Sequence, residues 1–354
     1  MSRFGRGMIV YEDVPNIRIE LTEGCNRSCE FCGHKYLKTE KKFMTQEMFR
    51  SILYRCEKSL KSLHFTVNGE PTLNPGMLEY LEEARKFLPN TNIQIITNGD
   101  QYIKRPHEIF SLFEYGASLV ILDLYTQQQK ERWDLLLRPI YGSSTIVLSE
   151  GGSVDVVNGY GRELTEYYNS KPGTKKVLAI YDETDKFGKG VDAQHKRVLH
   201  TWCGSIPSNM WTEIGAKPMS YFPHKAPCTE PMKFLNIGVN GEILSCCRDM
   251  SKSFVLGNIL QYSTMNDVWR STNMYKMRLI LKNGRRDLIP VCFFCNERST
   301  RVGLYPYAGD EFTAEELIKF IEEHYTPNPI LRENFKTYRH YVSEDYTVFK
   351  RGIV

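Results

Sequence analysis

Strand-like and helix-like segments alternate along the first two thirds of the chain, and this alternation restricts the possible folds more than any other feature of the sequence. The predicted strands are "NIRIEL", "LHFTV", "IQIIT", "SLVILDLY", "STIVLS" and "KVLAIY". Segments with an apolar helical face, such as residues 45–60, separate the first four of these strands from one another. Alternation of this kind predicts a parallel sheet with right-handed crossovers.

Short motifs follow three of the strands directly. They are "GCNRSCEFCGH" after the first strand, "NGEP" after the second and "TNGD" after the third. The carboxyl ends of the strands in a β/α barrel form one face, and that face carries the active site. The motifs therefore favour an α/β fold with an incomplete, six-stranded barrel over an open sheet.

The chain contains ten cysteines, most of them in two groups. The first group is Cys25, Cys29 and Cys32, the second is Cys228, Cys246, Cys247, Cys292 and Cys295, and Cys56 and Cys203 stand alone. The N-terminal residues lack the apolar segment of a signal peptide, and no apolar run is long enough to span a membrane, so a cytoplasmic protein is expected. In that compartment, grouped cysteines indicate metal ligands rather than disulfides. Cys56 lies on the apolar face of a predicted helix and is expected in the core.

The spacing of the first cysteine group suits an iron–sulfur cluster with one open position. Three thiolates hold three corners of a [4Fe–4S] cube, and the fourth iron is then free to take a small molecule, whereas most cubane clusters have four cysteine ligands. The alternative is a zinc site that takes a distant fourth ligand such as His34.

Residues 25–32, "CNRSCEFC", match the CxxxCxxC motif of the radical S-adenosylmethionine (radical SAM) superfamily, including the aromatic residue before the last cysteine. "NGEP" resembles the GGEP segment of that family, and "TNG" resembles a segment common after its third strand. The resemblance covers residues 15 to about 215. It implies a partial (β/α)6 TIM-like barrel and reductive cleavage of S-adenosylmethionine to a 5′-deoxyadenosyl radical, which abstracts a hydrogen atom from an unactivated C–H bond. A reductant such as flavodoxin or ferredoxin would supply the electron.

The resemblance also implies roles for single residues. Cys25, Cys29 and Cys32 would hold the cluster. Gly69 and Glu70 would meet the amine of S-adenosylmethionine, where a carboxylate is a charge-assisted acceptor. Phe31 would lie near the adenine, and Asn98 and Asp123 near the sugar.

Two of these positions leave questions open. Asn68 stands where the family usually has the first glycine of GGEP, so its side chain narrows the site or adds a hydrogen bond. Asp123 lies between leucines in a predicted buried strand and needs a partner, which a structural arginine would provide as well as a ligand.

The second cysteine group resembles the start of the SPASM domain. Cys228, a hairpin glycine at Gly241, Cys246 four residues beyond it and a CxxC pair at Cys292 and Cys295 follow that pattern. No cysteine follows Cys295, so the resemblance implies the shortened twitch form, with a β-hairpin, a helix and one auxiliary [4Fe–4S] cluster on the four cysteines. The alternative is a zinc ribbon.

The spacing of the cysteines does not decide whether Cys246 or its neighbour Cys247 is the ligand, although the position of the hairpin favours Cys246. Cys247 would then be a spare thiol beside a cluster. It is a candidate hydrogen-atom donor to a substrate radical, and the alternative is an apolar packing residue. Cys203 has no predicted place.

Three regions are expected: a radical SAM partial barrel over residues 1–215, a twitch-type domain over 225–300, and a C-terminal helix and tail over 301–354 that pack on the barrel. A capping box, Thr313 with Glu316, opens the helix. The tail mixes basic and aromatic residues, which suits either nucleic-acid binding or a strap packed on the barrel.

The substrate and the net reaction stay open at this point. The net charge of +4 permits an anionic substrate without requiring one. Oxidation, epimerisation and rearrangement of a small molecule or peptide are all possible, as is modification of a nucleotide or nucleic-acid base. The competing hypotheses are a zinc-stabilised nucleic-acid-binding protein without redox chemistry and an electron carrier.

Overall fold

The structure is a computed structural model, and it describes residues 9–10, 13–133, 145–147, 153–158, 176–182, 201–211, 223, 227–295, 303–304 and 312–338. Its strands are β1 (Ile9–Val10), β2 (Asn16–Ile19), β3 (Thr22–Glu23), β4 (Lys42–Phe43), β5 (Ser62–His64), β6 (Asn92–Thr97), β7 (Leu119–Leu124), β8 (Thr145–Val147), β9 (Ser153–Asn158), β10 (Lys176–Asp182), β11 (Leu235–Ile237), β12 (Glu242–Leu244), β13 (Val255–Asn258) and β14 (Gly303–Leu304). Its α-helices are α1 (His34–Leu37), α2 (Gln46–Leu53), α3 (Met77–Phe87), α4 (Ser111–Glu114), α5 (Met265–Trp269), α6 (Thr272–Lys282), α7 (Pro290–Phe293), α8 (Ala314–His324) and α9 (Pro329–Tyr338).

Ten of the described strands form one sheet in the order β13-β12-β11-β2-β5-β6-β7-β10-β9-β8. The six from β2 to β9 in this order are parallel to one another, as expected for a partial barrel. Five of them contain predicted strands, and the sixth, β9, was not predicted. The predicted parallel pairing was wrong for "STIVLS". That segment contains β8, which pairs antiparallel to β9 at the edge of the sheet. Only five residues separate β8 from β9, and so short a connection allows a hairpin but not a crossover.

One face of the parallel strands packs against the helices. Ile17, Leu63 and Ile95 are fully buried there together with Phe49 of α2 and Leu81 of α3. Cys56 belongs to the same core, as predicted. Alternate residues of each strand point to the opposite face of the sheet, here called the inner face.

The C-terminal region continues the barrel sheet. β11 pairs parallel to β2, and β11 and β12 form the predicted hairpin, with Gly241 at a φ of 80° in its turn. The capping box at Thr313 and Glu316 is also confirmed at the start of α8. Most of the tail on which the nucleic-acid and strap hypotheses depended, residues 339–354, lies outside the described residues. No helix in the described part of the chain is long and apolar enough to cross a bilayer.

A buried lysine joins the C-terminal region to the barrel. Lys252 Nζ lies 3.0 Å from Glu20 Oε2, 2.9 Å from Glu23 Oε2 and 3.8 Å from Glu242 Oε1. Burial raises the pKa of Glu20 to about 7, and the charge of Lys252 only partly offsets this effect. Glu20 therefore binds a proton in the folded protein over a pH range in which the unfolded chain has released it.

This proton gives a testable pH dependence. Between pH 4.5 and about 7 the contribution of Glu20 to stability falls as the pH rises, and above pH 7 it stays at its lower value. Glu20→Gln removes the cost of burying an ionised carboxylate. We therefore expect the stability of the variant relative to wild type to rise by about 3 kcal/mol between pH 4.5 and pH 8. Chemical denaturation at both pH values measures the difference. Glu79→Gln, at an exposed site on α3, controls for the loss of one charge. A variant less stable than wild type at pH 8 would show that the ion pair with Lys252 dominates instead.

Candidate active site

The sequence motifs converge on one cleft at the carboxyl ends of β2, β5, β6 and β7. Its volume is about 100 Å³. All the residues predicted for the first cluster and for S-adenosylmethionine line it: Cys25, Cys29, Cys32, Phe31, Gly69, Glu70, Asn98 and Asp123. Sequence reasoning missed a further set, which is Arg27, Thr66, Ile96, Thr97 and Tyr125.

A short loop brings the three N-terminal cysteines to the cleft. The β3–β4 hairpin closes the base of the loop, the Cys32 N–H donates to the Cys29 carbonyl at 3.0 Å, and the Arg27 N–H donates to Cys25 Sγ at 3.4 Å. Burial raises the pKa of Cys29 to about 11 and that of Cys32 to about 12, and the neighbouring thiols add to the effect. Thiols held together in this way fit a metal cluster, because bound metal stabilises their deprotonated forms.

Glu70 ties the end of β5 to the end of β6. Its carboxylate is 3 % exposed and accepts hydrogen bonds from Thr72 N (3.1 Å), Thr72 Oγ1 (2.6 Å), Thr97 Oγ1 (2.7 Å) and Asn98 N (2.8 Å). Burial raises the pKa of Glu70, and these bonds oppose the rise. Three bonds end on Oε1 and one on Oε2, so only Oε2 retains acceptor capacity for a ligand.

Gly69 brings two loops into close contact. The Glu70 N–H donates to the Gly24 carbonyl at 3.0 Å, and a Cβ at Gly69 would lie 2.0 Å from Thr22 O and 2.4 Å from Gly24 O. Only a glycine fits here. The backbone of "NGEP" is therefore pressed directly against the segment that leads into the cysteine loop.

Asn68 presents unmet hydrogen-bonding groups to the cleft. Its Oδ1 and Nδ2 are buried, and neither has a hydrogen-bond partner among the described residues. A buried amide without partners is costly, and a ligand with both donors and acceptors would satisfy it. The amine and carboxylate of S-adenosylmethionine have this character, so the residue fits the cofactor that the motifs imply.

We predict that Asn68→Ala raises the Kd for S-adenosylmethionine about tenfold, because one net hydrogen bond contributes about 1 kcal/mol and a polar group of the ligand would lose its partner. Titration calorimetry on the anaerobically reconstituted protein measures the change. Asn92→Ala is the matched control, since Asn92 Oδ1 is also buried without a partner in the described structure but lies outside the cleft. An unchanged Kd for Asn68→Ala would contradict the prediction.

Aromatic and acidic side chains form the opposite wall of the cleft. The rings of Phe31 and Tyr125 lie 5.4 Å apart, and the Tyr125 hydroxyl donates to Asp123 Oδ2 at 3.0 Å. The Trp202 indole N–H donates to the Phe31 carbonyl at 2.7 Å. Asp123 therefore has a tyrosine partner among the described residues.

The late cysteines gather at a second place, beside β11 and β12. Cys228 and Cys295 are buried, Cys246 and Cys292 are half-buried, and charges on these thiols affect one another. Burial and the neighbouring Cys295 raise the pKa of Cys228 to about 11, against the opposing charge of Arg286. The donor set of four thiols suits a cubane cluster.

Cys247 lies apart from the residues that line the cleft. Arg18 Nη1 donates to its sulfur at 3.1 Å, and hydrogen bonding from Cys246, together with the charges of Arg18 and Arg248, lowers the pKa of Cys247 to about 6. The hydrogen-atom donor role of Cys247 stays a prediction.

Comparison with known proteins defines the class. Residues 19–143 match the model of the radical SAM superfamily, and residues 228–296 match the model of SPASM, an iron–sulfur cluster-binding domain. The chain belongs to the radical SAM superfamily and carries a C-terminal SPASM-type domain. It is thus an enzyme whose cofactors are S-adenosylmethionine and [4Fe–4S] clusters. A zinc-stabilised nucleic-acid-binding protein is not favoured.

Individual relatives extend this assignment. The chain is 22% identical over 291 residues to the S-adenosyl-L-methionine-dependent 2-deoxy-scyllo-inosamine dehydrogenase of Niallia circulans, a match that covers 80% of this chain and 94% of that protein. It is 31% identical over 132 residues to a probable GTP 3′,8-cyclase of Pyrococcus horikoshii, covering 37% of this chain and 39% of that protein. The fold resembles the crystal structure of BtrN in complex with AdoMet and 2-DOIA, with a TM-score of 0.52, 20% identity, and coverage of 82% of this chain and 96% of that one.

Proposed function

We propose that this enzyme is a dehydrogenase that oxidises a hydroxyl-bearing carbon of a polar small molecule of the amino-cyclitol or amino-sugar type. The observation that carries the proposal is the similarity to the Niallia circulans dehydrogenase, because that match covers 80% of this chain and 94% of that protein. The similarity to the cyclase reaches only 37% of the chain and carries no comparable argument.

The inner face of the barrel, opposite the face that packs against the helices, supports a polar substrate. Arg18, His64 and Gln94 are direct neighbours on β2, β5 and β6 and therefore share this face. Burial lowers the pKa of His64 to about 3, so its imidazole is neutral, and it hydrogen-bonds with Ser62 Oγ at 3.0 Å. These side chains give the face hydrogen-bonding groups, which the hydroxyl and amine groups of a polar ligand are able to use.

Further along the sheet, at β7 and β10, the same face is apolar. Leu119, Ile121, Val177 and Ala179 form a small cluster on β7 and β10, separate from the main core. One flank of the lumen thus offers hydrogen-bonding groups and the other an apolar wall. A ring with polar substituents and C–H faces suits this division, and such a lumen orients one C–H bond toward the cleft.

When bound, S-adenosylmethionine and the first cluster supply a 5′-deoxyadenosyl radical that removes a hydrogen atom from a C–H bond, and the auxiliary cluster supplies an acceptor for one electron. The substrate carbon loses one hydrogen atom and one electron, its hydroxyl loses a proton, and C–OH becomes C=O. Arg18 lies on the inner face of the barrel, which lines the lumen, and its guanidinium contacts Cys247. The second cysteine group therefore adjoins the lumen. That proximity suits electron transfer from a substrate held there.

The proposal includes an external electron source, a reductant such as flavodoxin or ferredoxin, and a location in the cytoplasm. The ten free cysteines, as candidate cluster ligands, support both. Reduced thiols and oxygen-sensitive clusters require a reducing compartment, and no disulfide joins the ten cysteines of the chain.

An anaerobic assay in D2O tests the function. The reconstituted enzyme is incubated with S-adenosylmethionine, dithionite and, in turn, 2-deoxy-scyllo-inosamine and a panel of amino sugars and cyclitols, and the products are analysed by mass spectrometry. We expect one compound to yield a product lacking two hydrogens, in equal amount to 5′-deoxyadenosine. A product of unchanged connectivity that carries solvent deuterium at one carbon would indicate epimerisation instead. Deoxyadenosine formation that no member of the panel stimulates would contradict the substrate class.

A further inference from the structure

A run of lysines follows the N-terminal cysteine loop and lies on the surface. Residues 35–43, here called the basic segment, read "KYLKTEKKF" and contain four lysines against a single glutamate, an excess of three positive charges in a chain whose net charge is +4. Lys38, Lys41 and Lys42 are exposed, and no acidic side chain of the described residues pairs with them. The basic segment therefore presents a concentrated positive field to solvent.

The fold packs this segment against the cysteine loop. The helix α1 begins just beyond Cys32, and β4 pairs with β3, which leads into the loop. A Cβ at Gly24 would lie 3.1 Å from Lys41 Cγ, and the Tyr36 hydroxyl donates to the Glu30 carbonyl at 2.8 Å. The basic segment thus lies directly beside the site of the first cluster.

The cysteine loop itself reaches the surface. Asn26 and Ser28 are exposed, and Cys25 and Cys29 are only half-buried. Electron transfer requires the donor to approach the acceptor closely, and this side of the protein gives an external donor access to the cluster ligands. The basic segment borders that access.

The backbone at Lys38 is strained. This residue ends α1 with φ 51° and ψ 37°, in the left-handed region. Glycine is usual at such a position and asparagine less so, because other side chains are disfavoured there. The stability of α1 does not account for a lysine at this position, whereas recognition of a negatively charged partner does.

An apolar ring lies among these charges. Phe43 is 44% exposed and follows Lys42 on β4. An apolar contact surrounded by polar residues is typical of protein interfaces. Single-stranded nucleic acids instead stack successive bases on several aromatic side chains, and Tyr36, the other ring of the basic segment, is half-buried. The composition of the surface therefore favours a protein partner over a nucleic acid.

We propose that the basic segment is the docking surface of an acidic one-electron carrier protein that reduces the first cluster. The inference rests on the external electron source proposed above. In each encounter the carrier loses one electron and the first cluster gains it, and no atom or proton is transferred. Electron-transfer complexes have small interfaces, and opposite charges raise association rates about 10- to 1,000-fold.

Reversing the charge of the segment tests the proposal. The probe is a plant-type [2Fe–2S] ferredoxin, an acidic protein with a potential of about −400 mV. We expect the triple variant Lys38→Glu, Lys41→Glu, Lys42→Glu to bind ferredoxin at least about tenfold more weakly at low ionic strength, measured by biolayer interferometry. Wild-type binding should weaken as salt is added, because salt screens surface charges.

The same variant is assayed for 5′-deoxyadenosine formation with two reductants. With limiting reduced ferredoxin, formation should fall about tenfold, in parallel with binding. With excess dithionite, a small reductant that needs no docking surface, formation should match the wild type. The assay contains no substrate.

Two further proteins serve as controls. The triple variant Lys86→Glu, Lys282→Glu, Lys319→Glu makes the same change in net charge at exposed residues of α3, α6 and α8 and should retain most of the wild-type affinity. Lys38→Gly separates docking from stability. Because glycine accepts a φ of 51° without strain, this variant should be at least as stable as the wild type in urea and yet bind ferredoxin about threefold more weakly.

Three results would overturn the proposal: equal loss of ferredoxin binding in the two triple variants, equal loss of activity with ferredoxin and with dithionite, or binding of single-stranded RNA but not of ferredoxin by the basic segment. Dithionite reports cofactor cleavage separately, and no substrate is needed. Failure of docking is therefore distinguishable from failure of the proposed dehydrogenation.

Discussion

Alanine in place of any one of Cys25, Cys29 and Cys32 is expected to reduce 5′-deoxyadenosine formation to background. These are the thiols among the described residues that line the cleft, and a cluster with one open position has no spare ligand to lose. Iron content should fall from about eight to about four per chain, because the auxiliary site stays intact. Chromatographic detection of 5′-deoxyadenosine under dithionite, with iron analysis of the same sample, measures both effects.

Cys56→Ala is the matched control for this prediction. Its thiol is as buried as those of Cys228 and Cys295 and hydrogen-bonds to the Ile52 carbonyl, so activity and iron content should match the wild type. A single-cysteine variant at the N-terminal site that kept all its iron and still cleaved S-adenosylmethionine would refute the assignment of the open cluster.

The second large effect is expected at Gly69. In Gly69→Ala the new methyl group would meet the carbonyl oxygens of Thr22 and Gly24 at 2.0 and 2.4 Å. Both are backbone atoms next to the cysteine loop, so one of the two loops must move. We expect a loss of about 3 kcal/mol in the free energy of unfolding and no measurable binding of S-adenosylmethionine. Urea denaturation and calorimetric titration check the two outcomes.

Gly238→Ala provides the comparison. A Cβ there would lie 2.4 Å from Glu242 Oε2, the end of a side chain that is able to turn away. The variant should lose less than about 1 kcal/mol and bind the cofactor normally. If Gly69→Ala behaved in the same way, the close approach of the two loops would not be needed for the site.

Local sequence signals predicted the features that depend on near neighbours. Thr45 caps α2 by accepting from Met48 N, and Thr313 and Glu316 form their capping box, because each contact spans only a few residues. The cleft was predictable for a related reason. Each motif follows its own strand, and the carboxyl ends of parallel strands lie side by side.

Features that depend on distant contacts could not be predicted. The hydrogen bond between Arg18 and Cys247 joins segments far apart in the sequence, and so does that between Trp202 and the Phe31 carbonyl. A strand such as β8 carries the same residue pattern whether its neighbour runs parallel or antiparallel. The unpartnered amide of Asn68 becomes visible only when its surroundings are known.

The parallel pairing of β11 with β2 has a consequence for how the protein is assembled. A chain that ended before residue 227 would lack β11, and β2 would become an edge strand of the sheet with its outer N–H and C=O groups exposed. An uncovered edge of this kind recruits other chains and promotes aggregation. The barrel therefore depends on the C-terminal residues for its solubility as well as for its second cluster, and the two regions should unfold in a single cooperative transition.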